Sequence, residues 1–264
     1  MTNLTVSINV RHVGAFTDNY IWLIESPAAP ERLVAVDPGD AAPVLEELRR
    51  SASSLAAILL THHHPDHIGG VAGLLEHGAV PVIGPDDSRI ALRTQTVRGG
   101  ERCVLADLGL AFDILAVPGH TLSHIAFWGH DALFSGDTLF SAGCGRMFEG
   151  TPPQMNASLD RLRALPPPTR LFCGHEYTAA NLRFALAVEP DNQAALEHQA
   201  VVERLRASGM PSLPSRLALE LRINPFLRCD DPKISAAVRA HVGTALDGPA
   251  AVFGALRAWK DSFR

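Results

Sequence analysis

The stretch Thr61-His62-His63-His64-Pro65-Asp66-His67 stands directly after a short apolar run, residues 57–60. Four candidate ligands, His62, His64, Asp66 and His67, fall within six positions. Pro65 stiffens the turn, so side chains leaving this strand end can point inwards towards more than one metal ion. Histidine supplies neutral nitrogen and Asp66 an anionic oxygen, a mixture suited to zinc, iron or manganese rather than calcium. A structural zinc site is more often closed by cysteines.

One such loop cannot hold two ions, so partners must come from elsewhere. Three residues occupy equivalent places: His120 after Pro118-Gly119, Asp137 after Ser135-Gly136, and His175 after Gly174. Each follows an apolar run and adjoins a glycine, where side chain and backbone can approach a shared cavity. The economical assignment puts His62, His64 and His120 on one ion and Asp66, His67 and His175 on the other, with Asp137 bridging both. A bridging carboxylate offsets cation repulsion and leaves room for a shared water, whose pKa two cations lower towards neutrality. His63 is read as outside this set, and His12 and His124 are left unassigned. His77, His130, His198 and His241 read as ordinary surface or hydrogen-bonded histidines. Asp37, in Val36-Asp37-Pro38-Gly39, reads as a strand-end acceptor that holds the metal loop rather than as a ligand.

Working outwards, similar apolar runs end at turn residues at 20–24, 33–36, 112–117, 132–135 and 171–173. Helical patterns lie between them at 43–48, 68–75 and 154–165. A mixed sheet with covering helices is implied, hence an α/β class. After His175 the texture turns to Ala, Leu, Glu and Arg. Helices are expected at 178–188, from an Asn192 cap to about 207, and at 215–221, 232–241 and 249–259. The domain reading is therefore 1–175 followed by a helical 176–264.

With 47% hydrophobic and 19% charged residues in 264, the chain can bury a sizeable core. Its 23 Lys plus Arg against 28 Asp plus Glu leave nothing global to attract a phosphate backbone, which argues against nucleic acid. Cys103, Cys144, Cys173 and Cys229 are widely separated and form no CxxC pair, which fits a reducing compartment. Residues 1–10 lack a basic cluster, and no apolar run approaches the roughly 20 residues of a membrane span. A soluble cytoplasmic protein is the expectation; oligomeric state is left open, a monomer being one form the sequence allows. Gly143-Cys144-Gly145 and Gly69-Gly70 supply no nucleotide fingerprint. Cys144 has no activating base in view and reads as structural.

The histidine-rich stretch resembles the T-H-x-H-x-D-H signature of the metallo-beta-lactamase superfamily. Further segments narrow the resemblance to the glyoxalase II (hydroxyacylglutathione hydrolase) family. They are Asp37-Pro38-Gly39, Pro118-Gly119-His120-Thr121, Phe134-Ser135-Gly136-Asp137-Thr138-Leu139-Phe140, Gly143-Cys144-Gly145-Arg146, Phe148-Glu149-Gly150-Thr151, Gly174-His175-Glu176-Tyr177-Thr178, Asn224-Pro225-Phe226-Leu227-Arg228 and the terminal Ala255-Leu256-Arg257-Ala258-Trp259-Lys260-Asp261-Ser262-Phe263. The resemblance spans nearly the whole chain. It implies a four-layer αββα sandwich with a helical C-terminal domain that binds glutathione. It further implies seven ligands to two divalent metal ions, zinc by preference with iron or manganese as alternatives, and hydrolysis of S-2-hydroxyacylglutathione thioesters, principally S-D-lactoylglutathione, to D-lactate and glutathione.

The same resemblance assigns the remaining site residues. Asp137 bridges the metals, and Asp66 is also placed to orient or relay a proton. Arg146 stands where a family lysine reaches glutathione, with a planar fork in place of an ammonium. Phe148 stands where some members carry tyrosine, so a hydroxyl contact is lost. Tyr177 keeps its place beside His175. Arg257 and Lys260, three apart on one helical face, match basic residues directed at the glycine carboxylate. The competing readings are a persulfide dioxygenase of the same superfamily and a metal-stabilised protein that binds glutathione conjugates without turnover. A secreted β-lactamase would carry an export signal and a nuclease member a basic channel, neither of which is visible.

Overall fold

The structure, a computed structural model, describes residues 7–263. Residues 1–6, which include most of the N-terminal stretch read for a leader, and Arg264 lie outside the described residues. Two compact units are distinguished by their packing: Met1–Ala116 with Ser123–Gly136, and Val117–Leu122 with Asp137–Arg264. This division follows spatial packing, whereas the break at 175/176 follows the rise in helix-forming residues.

In the first unit β1 (Val10–Ala15), β2 (Asn19–Glu25), β3 (Arg32–Val36), β4 (Ser54–Leu59), β5 (Val82–Gly84) and β6 (Gln95–Thr96) form one sheet in sequence order. The pairs β1–β2 and β2–β3 are antiparallel, and from β3 onwards the pairing is parallel. Between β3 and β4 runs α1 (Ala41–Arg50), started by Asp40, whose side chain accepts from Ala42 N. Its Val44 and Leu48, four apart, pack on Leu33, Ala35 and Ile58 of the sheet. Because β3 and β4 are parallel, both end on the edge from which Asp37 and the histidine loop emerge.

The helical pattern at 68–75 becomes two short helices, α2 (Pro65–Ile68) and α3 (Val71–Leu75). The two linking glycines keep right-handed helical φ/ψ, and packing requires that neither carry a side chain. A Cβ on Gly69 would lie 2.8 Å from Gly39 O, and one on Gly70 2.5 Å from Ala41 N.

The strands β7 (Arg102–Leu105), β8 (Leu110–Ala116), β9 (Ile125–Gly129) and β10 (Ala132–Gly136) form an antiparallel meander. Gly129 pairs with Ala132 across His130 and Asp131, which have φ of 53° and 57°, as a two-residue type I′ turn requires. Phe112 packs edge-to-face on both Phe127 and Phe134.

The second unit opens with a short hairpin, β11 (Leu139–Phe140) and β12 (Gly143–Cys144). Next comes α4 (Pro152–Arg163), begun by a capping box between Thr151 and Gln154. β13 (Arg170–Cys173) pairs with β14 (Ser215–Arg216). Between these strands lie α5 (Thr178–Val188) and α6 (Gln193–Ala207), the latter capped by Asn192. α7 (Leu217–Ile223), α8 (Pro232–Val242) and α9 (Gly248–Ser262) complete the unit. The sequence expectation of a helix from 215 thus begins two residues late, because Ser215 and Arg216 pair with β13. No helix of the described residues is long and apolar enough to cross a membrane.

Candidate active site

In the first unit, Asp37 follows β3 with φ of 51°. Its Oδ1 accepts Thr61 N at 2.8 Å, and its Oδ2 accepts Thr61 Oγ1 at 2.6 Å and lies 3.1 Å from His67 Nδ1. Having donated its proton to Asp37, the Thr61 hydroxyl accepts from His62 Nδ1–H at 3.0 Å. This hydrogen-bond network assigns the Nδ1–H tautomer to His62 and His67, with Nε2 as the lone-pair nitrogen of each. The ring of His62 lies 4.7 Å from that of His64 and 4.2 Å from that of His67, centroid to centroid. Asp66 Oδ2, which accepts from Asn19 Nδ2, is 3.5 Å from His67 Nε2. Gly39 lies so close that a Cβ there would meet Asp66 O at 1.8 Å.

The remaining histidines of this unit separate from that group. His63 turns to Asp87, 3.4 Å from its Nδ1. The Asp87 carboxyl is held well below the usual carboxylate range, chiefly by Arg89 and further by Ser123. His124 stacks on His62 at 4.6 Å and donates Nδ1–H to Ile125 O. His12, on β1, lies edge-on to Tyr20.

In the second unit, His120 donates Nδ1–H to Arg146 O at 2.8 Å, so its Nε2 is again the lone-pair nitrogen. That Nε2 is 3.5 Å from Asp137 Oδ2, and His175 Nε2 is 3.3 Å from the same oxygen. All three side chains are buried. A Cβ on Gly145 would meet Asp137 O at 1.9 Å and His120 Nδ1 at 3.2 Å, so only glycine lets the hairpin exit pass. His175 stacks parallel to Tyr177 at 4.8 Å, and Phe140 meets both rings edge-on.

These donor sets fit cations. His67 Nε2 faces Asp66, and His120 Nε2 faces Asp137, across distances at which two acceptors repel; a cation shared between nitrogen and carboxylate removes the conflict. Thr61, Asp37 and Arg146 O supply the outer hydrogen bonds that metal-ligating histidines use. Asp37→Ala is therefore expected to weaken metal retention by about 10–100-fold, read by competition with a chromogenic chelator; unchanged retention would remove Asp37 from this role.

A cavity of about 430 Å³ within the second unit is lined by His120 and Asp137 together with Arg146, Phe148, Tyr177, Arg257 and Lys260. Phe148 is 65% exposed and stands edge-on to His120. Arg257 is buried: Nη1 donates to Cys144 O at 2.9 Å, Nη2 donates to Asp261 Oδ1 at 3.0 Å, and the guanidinium lies over Phe226. Its buried Nε has no hydrogen-bond partner among the described residues. Lys260 donates to Ala180 O, and burial together with the nearby Arg257 charge lowers its ammonium to about 8. Cys144 also lines the cavity, but burial pushes its thiol up to about 11.

Sequence reasoning passed over Phe140, Asn181 and Asp261, which line the same cavity. Asp261 was readable in principle: it stands four residues after Arg257 on a helix, the spacing of an ion pair. It also lies 3.4 Å from Arg146 Nε.

Comparison with known proteins extends over nearly the whole chain. Residues 15–175 match the family described as metallo-beta-lactamase superfamily, and residues 176–263 match hydroxyacylglutathione hydrolase C-terminus. A hydroxyacylglutathione hydrolase of Cupriavidus taiwanensis is 52% identical, over 97% of this chain and all of that protein. Another, of Nitrosomonas eutropha, is 46% identical over 97% of this chain and all of its own length. Among solved structures, TTHA1623 in a di-iron-bound form is 27% identical with a TM-score of 0.59, covering 81% of this chain and 98% of that one.

Proposed function

Because the chain belongs to the hydroxyacylglutathione hydrolase family of the metallo-beta-lactamase superfamily, we propose that it hydrolyses S-2-hydroxyacylglutathione thioesters, principally S-D-lactoylglutathione, to D-lactate and glutathione. Its fold class is the αββα sandwich with a helical C-terminal region. One observation carries the reading: a single cavity is lined both by the metal-ligand candidates His120 and Asp137 and by the cations Arg146, Arg257 and Lys260. A thioester centre and the carboxylates of a tripeptide need those two kinds of wall together.

We assign His62, His64 and His120 to one metal ion, Asp66, His67 and His175 to a second, and Asp137 to both. The acceptor-against-acceptor contacts in each unit support the assignment, as does the di-iron form of the related TTHA1623. Nitrogen-rich donors with two carboxylates favour zinc, and iron and manganese suit the same set. When bound, such ions polarise a carbonyl oxygen and lower the pKa of water to near neutrality.

The chain's own residues do the rest. Thr61, Asp37 and the Arg146 carbonyl hold imidazoles in the Nδ1–H tautomer, and Asp66 lies where it can orient a proton near His67. Lys260, Arg146 and Arg257 line the cavity together and supply the positive charge that a substrate carboxylate would meet. Tyr177 offers its hydroxyl, and Phe148 only packing. The leaving group is a thiolate, stable near neutral pH, so no strong general acid is required. Cys144 is excluded as nucleophile by its burial and raised pKa. We read 1–175 as the catalytic region and 176–264 as the glutathione-binding one. All four cysteines are buried and none is joined in a disulfide, which supports a reducing, cytoplasmic setting.

The test is to purify the protein, measure bound metal, and follow loss of the S-D-lactoylglutathione thioester with and without chelator. Turnover that chelator abolishes and metal restores is expected. Metal-replete protein that leaves the thioester intact, or that consumes oxygen on glutathione persulfide instead, would overturn the reading.

The lowered pKa of Lys260 gives a pH dependence. Below about 8 the ammonium is charged and attracts an anionic substrate; above it the neutral amine does not. KM is expected to be flat below that pH and to rise beyond it, while Lys260→Arg, which stays charged, flattens the profile. A rise that persists in Lys260→Arg would exclude Lys260 as its source.

A further inference from the structure

The hairpin of β11 and β12 belongs to a two-stranded sheet, so most of its backbone groups have no strand neighbour. Side chains take that place. Asn224 Nδ2 donates to Phe140 O at 3.1 Å and Gly143 O at 3.0 Å, Asn181 Nδ2 donates to Ser141 O at 3.0 Å, and Arg257 Nη1 holds Cys144 O. At the tip, Ala142 has φ of 54°, a conformation that L-residues seldom adopt. Its N–H donates at 2.7 Å to Glu220 Oε2, while the hydroxyls of Ser141 and Ser215 donate to Oε1. Glu220 and Asn224 are both 0% exposed. Glu220 has no salt-bridge partner among the described residues, yet both its oxygens accept hydrogen bonds, the arrangement that makes burial of a carboxylate tolerable.

We propose that Glu220 and Asn224 are positioning residues for the glutathione pocket, acting through this hairpin. The inference rests on the functional reading above. Phe140 is the ring against which His175 and Tyr177 pack, and Cys144 O fixes one arm of the Arg257 fork. Asn224 Oδ1 also accepts from Phe226 N, and Phe226 lies beneath the Arg257 guanidinium. Two of the three supports of Arg257, Cys144 O and the Phe226 ring, therefore trace back to Asn224, the third being Asp261. His120 has its own anchor in Arg146 O, and His175 follows β13, which is held by its pairing with β14 as well as by Phe140. Loosening the hairpin should disturb substrate grip more than the metal-ligand candidates, which keep these other supports. This gives the Asn224-Pro225-Phe226 segment a task that its sequence alone did not disclose.

The experiment compares Asn224→Ala, Glu220→Ala and Glu220→Gln in the full-length, metal-loaded protein. For the two alanine variants KM for S-D-lactoylglutathione should rise about tenfold or more, with kcat within about threefold and metal content unchanged. Hydrogen exchange of the amides of 139–145 should quicken in parallel. Glu220→Gln keeps the shape and an acceptor for Ala142 N–H, so it should restore both towards wild type. A role confined to overall stability would lower Tm but leave the KM of folded protein unmoved, and that outcome overturns the proposal, as does slow exchange in every variant. Where an alanine variant fails to fold, Asn224→Ser, which retains one donor, takes its place under the same criteria. If wild type lacks thioesterase activity, the functional reading has failed separately. Calorimetric affinity for glutathione then replaces KM, and equal affinity in wild type and Asn224→Ala rejects the positioning role.

Discussion

Asp137→Ala is expected to lower kcat/KM for the glutathione thioester by at least about a thousandfold. His120 and His175 approach the same oxygen, Oδ2, at 3.5 and 3.3 Å, and all three residues are buried. Deleting the carboxylate leaves two buried imidazole nitrogens without their shared anion, in a place where cations would repel each other undiluted by water. Metal content should fall together with turnover. Asp137→Asn separates charge from shape: the amide fills the same volume, yet it lacks the negative charge and should fall almost as far. Activity within threefold of wild type in either variant would reject a bridging role for Asp137.

Joint replacement of Arg257 and Lys260 by alanine carries the second largest expected effect, a rise in KM of about a hundredfold with kcat little altered. Hydrogen bonds to charged groups contribute about 1.5–3 kcal/mol each, so two lost contacts amount to that factor at the low end. The two residues are not equivalent. Lys260 donates to the Ala180 carbonyl and lies over the rings of Phe184 and Phe263, with no fork to the hairpin, so Lys260→Ala reads substrate contact more directly than Arg257→Ala. Arg257 also secures Cys144 O and Asp261, so its loss disturbs the pocket wall too, and Arg257→Lys cannot replace the fork. Effects at neighbouring sites of this kind are not additive, and the double variant should fall short of the product of the singles. An unchanged KM in the double variant would remove both from the binding site.

What could be read in advance depended on how local each signal was. The histidine loop announced itself because four candidate ligands crowd one strand end, and the helix from Asn192 onwards carries its own cap. The need for glycine at 69 and 70 was hidden, since it answers to Gly39 and Ala41, some thirty residues away. Likewise the tautomers of His62 and His67 depend on Thr61 and Asp37 acting together, which no spacing displays. Glu220 was the least legible. In Leu217-Ala218-Leu219-Glu220 an acid looks like the solvent side of a short helix, yet it is buried by a hairpin nearly eighty residues earlier.

The burial of the four thiols bears on the chemical company this protein keeps. A thiol raised to about 11, as in Cys103 and Cys144, is ionised in only roughly one molecule in ten thousand at neutral pH. Electrophiles and oxidants that attack the ionised form therefore find almost no thiolate at these two cysteines. A hydrolase of glutathione thioesters can then keep these cysteines unmodified where thiol-reactive compounds are abundant.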